Sequence, residues 1–92
     1  MTMLEIFKSR LPEGLEIVET KKRGKYNVCL NYDGTEAIVT LPTTCVPTKE
    51  NFMCDIIICT SMMRIASSRG DEEMFGKWCN KQDELFKANG GI

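Results

Sequence analysis

Histidine is absent from this chain, and with it the commonest general base and a common metal ligand. A hydrolase or transferase site would therefore need Asp, Glu, Lys or Tyr as its base. The glycines form neither the GxGxxG nor the GxxxxGK[ST] pattern that binds phosphate groups. We therefore expect a protein that is not an enzyme and that uses no cofactor.

Paired cysteines are also absent. The five cysteines are an odd number and no two have the CxxC spacing of a zinc site: Cys29, Cys45, Cys54, Cys59 and Cys79. We expect reduced thiols that pack as small hydrophobic groups, with metal binding as the alternative that this spacing disfavours.

Long hydrophobic runs and a strong charge of one sign are missing too. The longest strongly apolar run, "IIIC" at 56–59, is too short to span a membrane. The start "MTMLEIFKSRLPEG" lacks the pattern of a signal peptide, so we expect a cytosolic protein. The formal net charge is −1, which excludes the basic excess that drives non-specific nucleic-acid binding.

The first half of the chain predicts one helix and three antiparallel strands. A helix is expected over residues 3–11, where Leu4, Phe7 and Leu11 fall on one stripe before Pro12. Residues 15–42 read as strands, because Asp33-Gly34 is a strong signal for a two-residue hairpin turn.

The turn at Asp33-Gly34 also predicts the pairing of the strands. It sets Leu30 opposite Ala37, Val28 opposite Val39 and Tyr26 opposite Leu41, all on one apolar face. A second turn at Arg23-Gly24 sets Ile17 beside Leu30 and Leu15 beside Tyr32 on the same face. Two independent turn assignments thus agree, as expected for a real sheet.

Two helices complete the predicted fold. Residues 51–70 favour a long helix with Phe52, Ile56, Cys59, Met63 and Ala66 on its main stripe, although Ile56 to Cys59 also fit a buried strand. Three further apolar residues widen this stripe: Ile58, Met62 and Ile65. Gly70 suits the helix end, and Asp71 begins a last helix whose buried side was expected to include Phe75 and Cys79. The prediction is an α+β fold of order αβββαα, one domain over 1–92 with a frayed tail at 89–92.

Basic residues cluster in the first predicted hairpin, at Lys21, Lys22, Arg23 and Lys25. A basic turn is usually solvated and discourages pairing between sheet edges. The alternative is a tip that contacts phosphate groups of a nucleic acid.

The outer face of the predicted sheet carries a short apolar row of Val18, Cys29 and Ile38 between polar rows. The row is either a set of tolerated β-branched and small residues, or a docking surface for a partner or a second copy of the chain. Asp55, isolated in "CDIII", is either a perturbed acid or a residue on the polar edge of its helix.

The element order, the "NYDGTE" hairpin and the "DEEMF" helix start resemble one group of small phage anti-CRISPR proteins, the type II-A inhibitors with one helix, three strands and two helices. The resemblance implies mimicry of nucleic acid by acidic side chains. The residues here that correspond to that part are Asp33, Glu36, Asp71, Glu72 and Glu73.

The predicted function is therefore a small inhibitor from a phage or mobile element that binds a host defence protein such as a CRISPR effector nuclease. Two alternatives stay open. One is a nucleic-acid-binding accessory protein that uses the basic hairpin, and the other is a sponge for a nucleotide signal, with its pocket between the protomers of a homodimer.

Overall fold

A computed structural model of the chain describes residues 3–18, 27–41 and 50–89. Its elements are helix α1 (Met3–Ser9), strands β1 (Leu15–Ile17), β2 (Asn27–Tyr32) and β3 (Thr35–Thr40), and helices α2 (Glu50–Arg69) and α3 (Glu72–Ala88). The predicted α+β fold and its element order are confirmed. Helix α1 ends two residues earlier than expected, before Pro12, whose ring prevents the preceding residue from staying helical.

The sheet is an antiparallel meander in the order β1-β2-β3. Its register matches the prediction, with Leu15 opposite Tyr32, Ile17 opposite Leu30 and Val28 opposite Val39. The predicted pairing of Tyr26 with Leu41 and the predicted Arg23-Gly24 turn lie outside the described residues.

The β2–β3 turn has the backbone that its sequence demands. Asp33 and Gly34 have φ angles of 47° and 88°, so both central residues are left-handed, as a type I′ turn requires. Asp is among the few residues other than Gly that adopt this region at modest cost. The turn therefore holds the register, because a slip by one residue would move every apolar side chain to the opposite face.

Helix α2 lies at the centre of the molecule and contacts α1, β3 and α3. Leu30, Met62 and Ile65 are fully buried at its interface with the sheet and neighbouring helices. Burying one such side chain contributes about 1.5–3 kcal/mol. The hydrophobic core cluster draws residues from all six elements, including Phe7 of α1 and Trp78 of α3.

The buried side of α2 confirms part of the predicted stripe and corrects part of it. Phe52, Ile56 and Met63 are only partly buried. Cys59 and Ala66 of the main stripe are buried as predicted, and so are Ile58, Met62 and Ile65, which were expected to widen it. Neighbours cover the helix from more than one direction. Among the described side chains of the helix, the buried ones are Cys54, Ile58, Cys59, Ser61, Met62, Ile65 and Ala66.

A Schellman motif ends α2 and turns the chain into α3. Gly70 has a φ angle of 69°, and its N–H donates to the carbonyl of Ser67 at 3.2 Å. The N–H of Asp71 donates to the carbonyl of Ala66 at 2.9 Å, which completes the motif. The two helices then run antiparallel. The rings of Phe52 and Phe86 meet edge to face at 5.8 Å near the far end of this helical pair.

Helix α3 exposes more of its surface than predicted. Phe75 is 42% exposed and Cys79 is exposed, although both were expected on the buried side. Trp78 anchors α3 in the core. In the described part of the chain, no helix is long and apolar enough to cross a membrane.

Candidate partner-binding site

Arg69, at the end of α2, holds the β2–β3 hairpin. Its guanidinium donates to the carbonyls of Tyr32 at 3.4 Å and Asp33 at 3.2 Å, and to Thr35 Oγ1 at 3.4 Å. It also pairs with the Asp33 carboxylate at 3.2 Å and lies 5.6 Å from the centre of the Tyr32 ring. One cation thus ties the hairpin turn to the junction between α2 and α3.

This contact brings the sequence-predicted carboxylates of the hairpin and those at the start of α3 to the same end of the molecule. Asp71 follows Arg69 by two residues and caps α3, with its Oδ1 accepting a hydrogen bond from the Met74 N–H at 3.0 Å. Glu72 and Glu73 are exposed in the first turn of α3, where the helix dipole stabilises negative charge.

The turn before β1 adds a carboxylate that the sequence analysis missed. Gly14 has a φ angle of 88°, and a Cβ built there would lie 3.1 Å from the Tyr32 ring, so this turn packs closely against β2. Glu13 beside it is exposed and lines one groove together with Asp71 and Glu73. Glu16 and Glu36 flank Asn31 across the outer sheet face, one row from the hairpin. We define the acidic end by these residues: Glu13, Glu16, Asp33, Glu36, Asp71, Glu72 and Glu73.

Part of this charge is neutralised and part is not. Asp33 pairs with Arg69, and Asp71 is engaged in capping. Among the described residues, no ion pair involves Glu13, Glu72 or Glu73. The acidic end therefore presents a net negative surface on a chain whose overall charge is close to zero.

A groove with a volume of about 760 Å³ borders the acidic end, between α3 and the turn before β1. Tyr32 and Met74, both partly buried, line its apolar part together with the more deeply buried Met62 and Trp78. Glu13, Asp71 and Glu73 line one stretch, and Lys77 and Lys81 line another further along α3. The groove thus combines an apolar base with carboxylates and ammonium groups at separate positions.

A smaller cavity of about 310 Å³ adjoins the groove at Trp78 and contains Asp55. Arg10 binds the Asp55 carboxylate with two hydrogen bonds, from Nε to Oδ1 and from Nη2 to Oδ2, each 2.6 Å long. The hydrogen bond to Asp55 raises the pKa of Arg10 above its ordinary value. Asp55 is thus an ion-paired residue that joins α2 to Arg10, directly after α1. This contact agrees with the second alternative for Asp55, a residue on the polar edge of its helix.

The apolar row on the outer sheet face is less accessible than the sequence suggests. Cys29 is only 4% exposed, and its Sγ lies 3.9 Å from Glu36 Oε2. Ile38 is 39% exposed and Val18 is partly buried. Cys29 therefore offers almost no surface to a partner, and Val18 and Ile38 supply what remains of the row.

The remaining sequence-predicted groups fall into two sets. The basic cluster of Lys21, Lys22, Arg23 and Lys25 lies outside the described residues. The cysteines of the described ranges are all free, and no group of three or more metal-ligating side chains occurs there. Burial raises the pKa of the Cys59 thiol, which keeps it in the neutral form.

Comparison with known proteins adds no relative: no protein-family profile, no curated protein and no solved structure matches this chain.

The groove was missed by the sequence analysis, although one signal for it was present. Glu73, Lys77 and Lys81 are spaced four residues apart, so they fall on one stripe of a helix beside Trp78. A charged stripe next to a large apolar residue indicates the border of a buried face. Nothing local to Glu13 indicates that it faces this stripe, because that contact depends on the packing of the turn before β1.

Proposed function

We propose that this protein is a small inhibitor without a cofactor that binds another protein through its acidic end. The observation that carries the proposal is the collection of carboxylates from three separate chain segments at one end of a nearly neutral molecule. Such an arrangement is complementary to a basic surface, and complementary potentials speed association and select partners. Basic surfaces of this kind are typical of proteins that bind nucleic acid.

The target class we infer is a host defence protein, such as a CRISPR effector nuclease, in the cytosol of a bacterium that carries a phage or mobile element. The support for this part is the resemblance of the hairpin and of the α3 start to small phage inhibitors. Asp33 and Glu36 come from the hairpin, and Asp71, Glu72 and Glu73 come from α3. Carboxylates on a rigid scaffold imitate the charge of a phosphate backbone and so compete with nucleic acid for its site.

The test is a tagged pull-down from a bacterial host lysate, with and without nuclease treatment. The expected result is a host protein that is retained through nuclease treatment, and that is lost with the Glu72→Lys, Glu73→Lys double variant. The matched control is Asp83→Lys with Glu84→Lys, which makes the same charge change near the other end of α3. Thermal melting of both variants checks that the fold is intact.

Three outcomes would contradict the proposal. Retention that disappears with nuclease would favour nucleic-acid binding through the basic cluster. Equal retention by the two double variants would show that the acidic end is not the binding surface. A rise in melting temperature with a nucleotide would favour the sponge, because a ligand specific to the folded state stabilises it.

A further inference from the structure

Two charged residues of α3, Glu73 and Lys77, line the groove without forming the ion pair that their spacing favours. Glu73 and Lys77 are four residues apart in the order that favours an ion pair on a helix. Within the described residues, however, no ion pair involves Glu73 or Lys77, and both side chains line the groove. Lys81 lies over the Trp78 ring, with its Nζ 4.8 Å from the ring centre. One wall of the groove therefore presents a negative charge at Glu73, followed along the helix by positive charges at Lys77 and Lys81.

Helix geometry sets the distance between these charges. At 1.5 Å per residue, Lys77 lies about 6 Å and Lys81 about 12 Å along the helix axis from Glu73. A peptide in extended conformation rises about 3.3 Å per residue. Complementary charges on such a peptide would therefore be about two to four residues apart.

The same lining disfavours other occupants. A nucleic acid would place phosphates beside Glu13, Asp71 and Glu73, and a uniformly basic segment would meet Lys77 and Lys81. Each mismatch places like charges together in a confined groove, which is unfavourable. The accessible apolar lining comes from Tyr32 and Met74, which are only partly buried, and it suits a hydrophobic side chain between the two charges.

We propose that this groove binds an extended segment of the partner protein in which a Lys or Arg and an Asp or Glu are two to four residues apart, with an apolar side chain between them. The inference rests on the proposed protein-binding function and adds the chemistry of the bound segment. The cation of the segment lies beside Glu13, Asp71 and Glu73, and its carboxylate lies beside Lys77 and Lys81.

Trp78 makes the groove directly observable, because it is the only tryptophan in the chain and lines the groove. The probe is a capped peptide with Arg and Glu three residues apart and Leu between them. Peptides of the same length with two Arg, two Glu or two Gln are the controls. We expect a saturable change in Trp78 fluorescence with a dissociation constant of about 1 mM or lower for the mixed-charge peptide, and binding at least tenfold weaker for each control.

Two charge reversals then test the two halves of the groove. Glu73→Lys and Lys77→Glu should each weaken binding of the mixed-charge peptide at least tenfold. Glu84→Lys and Lys87→Glu make the same changes on the same helix outside the groove, and both should leave binding within twofold. Far-ultraviolet circular dichroism of all four variants confirms that α3 remains helical.

Failure of this inference is distinguishable from failure of the proposed function. A lack of saturation with the mixed-charge peptide, or equal binding of the like-charged peptides, overturns the inference. So does a partner whose retention is lost with Glu72→Lys and Glu73→Lys but is unchanged by Lys77→Glu, and in that case the inhibitor proposal stands. Selective peptide binding with no retained host protein would leave the groove assignment intact and overturn the inhibitor proposal.

Discussion

Helices α2 and α3 are neighbours in the chain and in space, yet they differ sharply in burial. Helix α2, with 20 residues, buries seven side chains, including Ile58, Met62 and Ile65. Helix α3, with 17 residues, buries only Trp78 among its described residues. The reason is position, because α2 contacts α1, β3 and α3, whereas the principal contact of α3 is with α2.

Because of this difference, we expect α2 to determine the stability of the protein and α3 to carry residues that bind a partner. Changes on α2 act on the core and reduce the free energy of unfolding. The outer faces of α3 carry charge that contributes little to stability, so these residues are available for a partner at small energetic cost. The candidate binding groups Glu72, Glu73 and Lys77 all lie on α3, and all three side chains are exposed.

The largest difference between the helices is expected in thiol reactivity. Cys79 on α3 is exposed, whereas Cys54 and Cys59 on α2 are buried. A buried thiol reacts only through an opened state, which a domain of ordinary stability populates about 10⁻³ of the time or less. Iodoacetamide labelling followed by peptide mass spectrometry should therefore give a rate for Cys79 about 10³-fold higher than for either α2 cysteine. Comparable rates would show that α2 is not the protected core.

The pKa of Cys59 adds a dependence on pH. Burial raises this pKa above the ordinary value of 9.0, partly offset by the nearby charge of Lys81. Because the folded state disfavours the thiolate, the stability that the neutral thiol contributes is present below pH 9.0 and is lost as pH rises toward the raised value. The free energy of unfolding should therefore fall less steeply above pH 9 in Cys59→Ala than in the parent chain.

An intermediate effect is expected from truncating the core face of α2. Ile65 is fully buried, so Ile65→Ala should lower the free energy of unfolding by about 3 kcal/mol through lost burial and a new cavity. The matched change on α3 is Phe75→Ala, which removes a larger but exposed side chain and should cost less than about 1 kcal/mol. Urea denaturation measures both, and equal losses would contradict the contrast between the helices.

The smallest effect is expected at the start of α3. Asp71→Ala removes the side chain that accepts a hydrogen bond from the Met74 N–H, which should cost about 1 kcal/mol. Asp71→Asn keeps the cap and removes the charge. If the Asn variant retains stability but loses partner retention, the carboxylate of Asp71 binds the partner as well as capping the helix, and if both variants are equally unstable the cap assignment is wrong.

Local patterns were sufficient where a short segment specifies its own conformation. Asp33-Gly34 predicts a turn with two left-handed residues, and that turn sets the register of β2 and β3. Gly70 predicts the end of α2 by the same logic. Local patterns were only partly sufficient for the buried face of α2. Phe52, Ile56 and Met63 of the predicted stripe are only partly buried, because a helix covered from several directions has no single buried stripe.

The candidate site likewise contains residues that the sequence analysis named and contacts that it did not predict. The binding role of Asp33, Glu36, Asp71, Glu72 and Glu73 is a prediction that came from the resemblance to small phage inhibitors. The role of Arg69 was not, because its hydrogen bonds to the hairpin join residues more than thirty positions apart in sequence. The accessibility of Cys29 was also misjudged, since period-two alternation predicts the face of a strand but not how closely neighbours cover a small side chain on it.

Element type, element order and strand register in this protein follow from short-range physics: the left-handed turn at Asp33-Gly34, the stop at Gly70 and the cap at Asp71. Only the tertiary structure decided which charges meet. Arg69 brings the hairpin to the start of α3, Arg10 fastens the segment after α1 to α2, and the turn before β1 brings Glu13 to the groove that Lys77 also lines. Such contacts depend on the packing of distant segments around α2, and electrostatic energy depends on distance in space, which no sequence pattern specifies.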